Sequence, residues 1–345
     1  MKTADYDYNL PEDLIAQTPA EPRDSSRLLV LNRGTGSIEH RRFVNVIEYL
    51  QPGDALVFND SRVMPARLFG HKLNTGAHVE VLLLLRRHHN EWQALIKPAK
   101  RLSVGTVVEL FDKQGARSGV NFQVIRKDED GTASILISNE DRLAELGILA
   151  LPPYIHQQLS VTEEERYQTV YSRVSGSVAA STAGLHFTPE LLKMFADKGI
   201  KLLFVTLHIG LDTFRPVKEE DPALHIIHKE YAILSPETAD SINEVKASGG
   251  RVFGVGTSAV RTVEWAALTE GMPLKPFMGW VELFILPGFK YQVIDGLITN
   301  FHLPRGTPLM LTAAFTGWNQ LKIAYDRAVS QGYRFYSFGD AMLII

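Results

Sequence analysis

Apolar and polar positions along the chain fall into two textures. Between Val79 and Ile137 the apolar residues come in short or alternating runs: Val79 to Leu85, Trp92 to Ile96, Val107 to Phe111, Val120 to Ile125 and Ala133 to Ile137. Turn-forming pairs, among them Asn90-Glu91, Val104-Gly105 and Asp130-Gly131, stand between them. Five such segments with no long helical period predict a small antiparallel barrel or sandwich. Leu151-Pro152-Pro153-Tyr154 reads as a stiff exit from it.

Beyond that exit helices alternate with strands. A helix from Pro189 to Lys198, capped by Thr188 and stopped by Gly199, precedes a strand from Lys201 to Leu207. Ser235 and Pro236 open a second helix that reaches Lys246, and Gly249-Gly250 end it ahead of a strand, Arg251 to Val255, and a helix, Ala259 to Leu268. Strands near Leu283, Ile294 and Phe335, with helices around Leu311 and Ile323, close the chain. Near the start, Pro11 to Gln17 reads as a short helix and Leu28 to Leu31 and Ala55 to Asn59 as strands. Such alternation predicts an α/β sheet covered by helices. The expected fold is an α/β body, residues 1–62 with 152–345, carrying an inserted small antiparallel β-barrel domain at 63–151, since surface loops accept insertions.

With 345 residues and 45% hydrophobic content the chain can bury a core of about two domains. It contains no cysteine, which removes disulfides, thiolate nucleophiles, cysteine-built zinc sites and iron–sulfur clusters. Asp5, Asp7, Glu12 and Asp13 stand where an export signal would be basic and then apolar, and the longest aliphatic run is only Val81 to Leu85. A cytoplasmic protein is expected, with no membrane span. A net charge of −3 argues against a general nucleic-acid binder, yet Arg67 to Arg101 holds seven basic side chains against two acidic ones. His71, His78, His88 and His89 are interspersed there, and the rest of the molecule is correspondingly acidic.

Candidate chemistry concentrates at strand ends and in one loop. Residues 176–188, GSVAASTAGLHFT, put Ser177, Thr182 and Gly184 in a run of small residues that a ligand can approach closely. The run ends in His186 and Phe187, then in Thr188 at a helix start that favours anions. The same composition also suits two backbones that merely cross closely. Asn59, Asp60, Ser61 and Arg62 emerge where a strand ends, the edge at which open α/β sheets bind ligands; a turn in which Asp60 pairs with Arg62 is the plainer alternative. Thr299 to Pro304, TNFHLP, repeats the arrangement, with Asn300 and His302 on one side of an extended segment and Phe301 on the other. A lone histidine such as His302 also serves as a hydrogen-bonded structural residue. His208 ends a further strand, and with His225, His228 and Glu230 it has a spacing that would hold a hydrolytic metal. Gly254-Val255-Gly256-Thr257 is an incomplete dinucleotide fingerprint, because Ala259 stands where the third glycine belongs. Arg261 and Glu264, at helical spacing just beyond, form either a salt pair or ligand contacts.

Taken together, LPEDLIAQ, RDSSRLLVL (23–31), FNDSRVMPARL (58–68), KPAKR (97–101), LPPYI, RYQTVY (166–171), GSVAASTAGLHFT, TLHIG, TNFHLP and the terminal FGDAMLII closely resemble the S-adenosylmethionine:tRNA ribosyltransferase-isomerases of the queuosine pathway. The resemblance runs from about Tyr6 to Ile345. It implies an α/β body with an inserted β-barrel. It also implies that S-adenosylmethionine, a co-substrate, gives its ribosyl portion to 7-aminomethyl-7-deazaguanine at the tRNA wobble position, yielding epoxyqueuosine, adenine and methionine. The chain departs from the family pattern at Ser181 (for Pro), Asp212 (for Gly), Ile227 (for Met), Ser258 (for Thr), Val281 (for Thr), and Gly306 and Pro308 (for Ser and Leu). A tRNA-binding homologue made silent by Asp212, Gly306 and Pro308 is therefore a further reading.

For that reaction the sulfonium acidifies the neighbouring 5′ carbon, so a side-chain base starts the loss of adenine without a metal or a permanently bound cofactor. His186 is the first choice for proton transfer, with Asp60, His208, His302 and Glu264 as other candidates. Arg62, Ser177, Thr182, Gly184, Arg261 and Asn300 are expected to line the donor, with its carboxylate at Thr188 and its sulfonium on Phe187 or Phe301. Arg86, Arg87, Lys97, Lys100 and Arg101 are expected to meet the phosphates of the tRNA anticodon loop. A monomer is the expected state, with no membrane partner.

Overall fold

The computed structural model describes residues 2–128, 131–156, 164–210 and 216–345. Its strands are β1 (Arg27–Leu31), β2 (Ile38–Arg42), β3 (Ala55–Asn59), β4 (Ser61–Val63), β5 (Arg67–Lys72), β6 (His78–His88), β7 (Glu91–Lys97), β8 (Val107–Phe111), β9 (Arg117–Lys127), β10 (Ala133–Ile137), β11 (Val174–Ser177), β12 (Lys201–Leu207), β13 (Glu230–Leu234), β14 (Val252–Val255), β15 (Phe277–Val281), β16 (Gly296–Asn300) and β17 (Ala341–Ile344). Two compact units result. One comprises Met1–Arg62, Pro153–Val174 and Ala180–Ile345; the other comprises Val63–Pro152 and Ser175–Ala179.

The larger unit is built on a nine-stranded sheet in the order β15-β13-β12-β3-β14-β16-β17-β1-β2. Strands β12, β3, β14 and β16 run parallel, and the pairs β13–β12, β15–β13, β17–β16 and β2–β1 are antiparallel. Every residue of β3, β14 and β16 is buried, as expected of parallel strands covered on both faces, and this is why they read as unbroken apolar runs. Helices Pro189–Asp197, Pro236–Ala247 and Thr257–Glu270 follow β11, β13 and β14. One face of the sheet packs Phe43, Phe58, Phe187, Phe195 and Phe253 into a single core with Leu28, Leu56 and Ile298. Each such ring contributes about 1.5–3 kcal/mol by leaving water.

The smaller unit is a closed barrel in the order β10-β7-β6-β5-β8-β9. Alternation along β7, in which Trp92, Ala94 and Ile96 point inward, fills its interior. An α/β body with an antiparallel barrel is thus the observed fold class. Among the described residues no helix is long and apolar enough to cross a membrane.

Four local expectations need correction. Pro11 to Gln17 forms only the 3-10 turn Glu12–Leu14, because the Ala16 amide donates to the Phe335 carbonyl and Phe335 returns the bond to Leu14. Phe335 makes no strand of its own; it forms an isolated bridge to Ile15. The strand expected near Ile294 starts at Gly296, since the amides of Val293 and Ile294 are taken by the Glu264 carboxylate. The strand expected near Leu283 ends at Val281, where its register with Glu230 closes.

Candidate active site

An open cavity lies at the carboxyl ends of β14 and β16, beside the start of helix Thr257–Glu270. Gly256 turns the chain from strand to helix with φ of 83°, and a side chain there would meet the Ser181 hydroxyl at 3.0 Å. Gly256, Thr257 and Ser258 therefore present the helix start to the cavity. Ser181 and Ser258, two of the departures from the family pattern, lie 3.3 Å apart there through their hydroxyls, and Ile227 and Pro308 line the same cavity. Asp212 lies outside the described residues.

Five of the sequence-predicted site residues line it: Thr182, Arg261, Asn300, Phe301 and His302. Arg261 does not pair with Glu264. Its Nη1 donates to the Glu230 carboxylate and its Nε to the Leu283 carbonyl (3.0 Å), while Nη2 is buried without a partner among the described residues. Glu230 also accepts from the Gly210 amide at 2.7 Å. His302 is held on several sides: its amide donates to the Tyr325 hydroxyl (2.9 Å), its carbonyl accepts from Tyr8, and Nε2 meets the Thr299 hydroxyl at 2.7 Å. Burial pushes its imidazole down to about 3. The ring of Phe301 packs on Tyr325, Tyr333 and Phe335.

The other candidates fall elsewhere. Asp60, only 1% exposed, accepts from the Thr206 hydroxyl (2.6 Å) and from Arg173 Nε (2.7 Å), so it does not pair with Arg62. Arg62 instead donates to Ser172 and Glu165. His208 adjoins this cluster; its Nδ1 is buried without a partner among the described residues, and burial lowers its pKa against the opposing pull of Asp60. Glu264 is a structural anchor, its carboxylate accepting from the amides of Gln292, Val293 and Ile294. Burial raises its pKa and those three amides oppose the rise.

In the small-residue loop, Ser177 is buried in the unit that holds the barrel. Gly184 is required because a Cβ there would sit 1.9 Å from the Tyr171 hydroxyl oxygen. Phe187 is wholly buried between Phe43, Phe58 and Phe195, which leaves no open ring face for a sulfonium. The Thr188 hydroxyl accepts from the Leu191 amide, so it caps its helix as expected, away from the cavity. His186 is not at the cavity wall either: Nδ1 lies 2.8 Å from the Ser26 hydroxyl, Nε2 lies 3.3 Å from Asn300 Nδ2, and the ring stacks on Phe43. Burial, then the Arg334 and Arg23 charges, pushes its pKa down to about 3.

Of the proposed metal set, Glu230 is engaged by Arg261, and His225 Nδ1 meets the Glu219 carboxylate at 2.8 Å. Among the described residues no group of three or more histidine and carboxylate side chains is placed to hold a metal.

In the barrel the five predicted basic residues divide between the two ends of the β6–β7 hairpin. Arg86 and Arg87 flank its tip, with Arg86 on Glu140 and Arg87 on Gln93. Lys97 pairs across from Glu80 at the far end and leads into the turn Ala99–Arg101. There Lys72 donates to the Arg101 carbonyl and Lys127 to that of Ala99. Lys72 and Lys127 thus join Lys97, Lys100 and Arg101 in one basic group, a neighbourhood the linear spacing hid.

A cavity at the carboxyl ends of parallel strands, against a helix start, is where an open α/β protein binds a small ligand. The chain belongs to the family described as Queuosine biosynthesis protein, whose match spans residues 3–344. It is 57% identical to a protein of Dehalococcoides mccartyi (strain CBDB1) named S-adenosylmethionine:tRNA ribosyltransferase-isomerase, with both chains covered over their full length. A protein of the same name from Clostridioides difficile (strain 630) is 51% identical, again over the whole of both chains. The crystal structure of S-adenosylmethionine tRNA ribosyltransferase from Thermotoga maritima has a TM-score of 0.57 and 36% identity, covering 99% of this chain and all of that one.

Proposed function

We propose that the chain transfers and isomerises the ribosyl part of S-adenosylmethionine onto 7-aminomethyl-7-deazaguanine at the wobble position of tRNA. The observation that carries this reading is the coincidence of a cavity wall bearing Arg261, Asn300 and His302 with family membership over nearly the whole chain. The buried, unpartnered Nη2 of Arg261 and the start of helix Thr257–Glu270 make an anion site for the donor's methionyl carboxylate. That helix start replaces the one at Thr188. His302 is the preferred proton-transfer group, because it is the one histidine among the candidates that lines the cavity. The anticodon loop would present its unstacked base to this site, with phosphates on the barrel's basic side chains.

The test is direct. Protein, S-adenosylmethionine and an anticodon stem-loop carrying the modified base should yield adenine, methionine and ribose attached to the RNA. Absence of adenine would sink the reading. His302→Gln should lower kcat by about 10² or more with the fold intact; turnover near that of the parent would remove His302 from the role.

A further inference from the structure

Asn300, at the end of β16, is 2% exposed, lines the cavity and divides its amide between two environments. Nδ2 donates to the Tyr336 carbonyl at 3.0 Å and also approaches His186 Nε2 at 3.3 Å. Oδ1 is buried with no partner among the described residues. A carbonyl can only accept, so the bond to Tyr336 fixes which end of the amide is which. An imidazole held neutral by burial has one donor and one acceptor. With Nε2 accepting from Asn300, Nδ1 carries the hydrogen and donates to the Ser26 hydroxyl, 2.8 Å away. Ser26, His186 and Asn300 therefore form a chain that ends in one orphan acceptor on a residue of the cavity lining.

Two aromatic rings line the same cavity as Asn300. Tyr154 and Tyr336 line the cavity with ring centroids 4.6 Å apart, tilted by 52°. Tyr336 is held at φ of 72°, a conformation that L side chains rarely adopt. Its amide donates to the Phe301 carbonyl, and its carbonyl accepts from Gly339 as well as from Asn300. Backbone kept in so unfavourable a region is a common mark of a ligand clamp.

The geometry points to a purine subsite, in which Asn300 Oδ1 accepts from the exocyclic amine of the donor's adenine beside the Tyr154 and Tyr336 rings, with His186 as a positioning residue that fixes the amide. This rests on the donor-binding reading above and adds to it which wall takes the purine. An acceptor that is buried and unpaired without ligand rewards an amino group and penalises its absence.

The experiment compares S-adenosylmethionine with its 6-desamino analogue, in which hydrogen replaces the purine amine, as donors to the modified stem-loop. The parent protein should prefer the amine by about tenfold or more in kcat/KM. Asn300→Ala should bring the ratio near one. His186→Leu, which removes the acceptor for Nδ2, should reduce it, whereas His186→Gln, which restores one, should keep most of it. Circular dichroism and thermal melting confirm that each variant is folded. Calorimetric binding of S-adenosylhomocysteine and its 6-desamino counterpart to the parent protein reports the same ratio without turnover. A parent protein that turns over S-adenosylmethionine yet takes both donors equally overturns the subsite and leaves the proposed function standing. A variant effect confined to acceptors lacking their 2-amino group would likewise overturn it, by assigning Asn300 to the RNA base.

Discussion

Arg261 and Glu230 are each almost wholly buried, their side chains 12% and 7% exposed, so neither is dispensable to the other. Arg261→Met would strand the Glu230 carboxylate, at a cost of about 3–5 kcal/mol in chemical denaturation. Adding Glu230→Gln should recover most of that stability, since an apolar–amide pair avoids the buried charge. The double variant should nonetheless keep a raised KM for S-adenosylmethionine, because the anion site is gone. Recovery of both would separate Arg261 from substrate. A second residue-scale effect concerns His186 and His302, whose folded pKa values of about 3 lie below the ordinary 6.5. Between those two values the unfolded chain binds protons that the folded chain refuses, so stability is fully present above about 6.5 and falls as pH drops toward 3. Each histidine contributes a slope of about 1.4 kcal/mol per pH unit in that window. Denaturation curves between pH 7 and 4.5 should show this fall, and His186→Leu should make it shallower.

At the scale of elements, local rules and tertiary demands can be told apart. Thr188→Ala removes a hydroxyl that caps helix Pro189–Asp197, and should cost about 1 kcal/mol while leaving kcat/KM unchanged. A drop in kcat/KM beyond the loss in folded fraction would restore Thr188 as a ligand contact. The caps at Thr188 and Ser235, the strand Lys201–Leu207 and the helix after Gly256 were legible because cap chemistry and apolar period act within a few residues. The barrel's first strand, Arg67–Lys72, was not, because Gly70 and His71 break its pattern. Gly70 is there to let β8 approach: a Cβ would lie 2.3 Å from the Glu109 carbonyl oxygen. The candidate site was legible in part for the same reason. TNFHLP announced itself as polar residues at a strand end, and Gly254-Val255-Gly256-Thr257, which fails the dinucleotide pattern, supplies Gly256 and Thr257 to the cavity wall. Tyr154 and Tyr336 gave no signal, since what brings them together is a left-handed turn more than 180 residues downstream of Tyr154. His186 looks available in the sequence because it stands beside small residues, whereas its ring lies off the cavity wall with Ser26 and Asn300 as partners.

For the molecule as a whole, the two basic groups of the barrel make separate predictions about RNA. Charge removal at Lys72, Lys97, Lys100 and Arg101 should weaken tRNA binding and flatten its salt dependence, by about one unit of slope for each phosphate that is no longer neutralised. Charge removal at Arg86 should have less effect, since Glu140 already neutralises it in the folded chain. Equal effects at the two ends would argue for a binding surface running the length of the hairpin. Titration of binding against salt concentration decides between them. Chelators should leave turnover intact if the acidity that starts the proposed reaction comes from the donor's own sulfonium.

The barrel's closure has one more consequence. A ring of strands with no open rim offers a polynucleotide only side chains and turns to grasp, never the main-chain ladder. If the barrel meets tRNA as proposed, that grip can be rewritten by exchanging surface residues, one at a time, without any change to the scaffold that displays them.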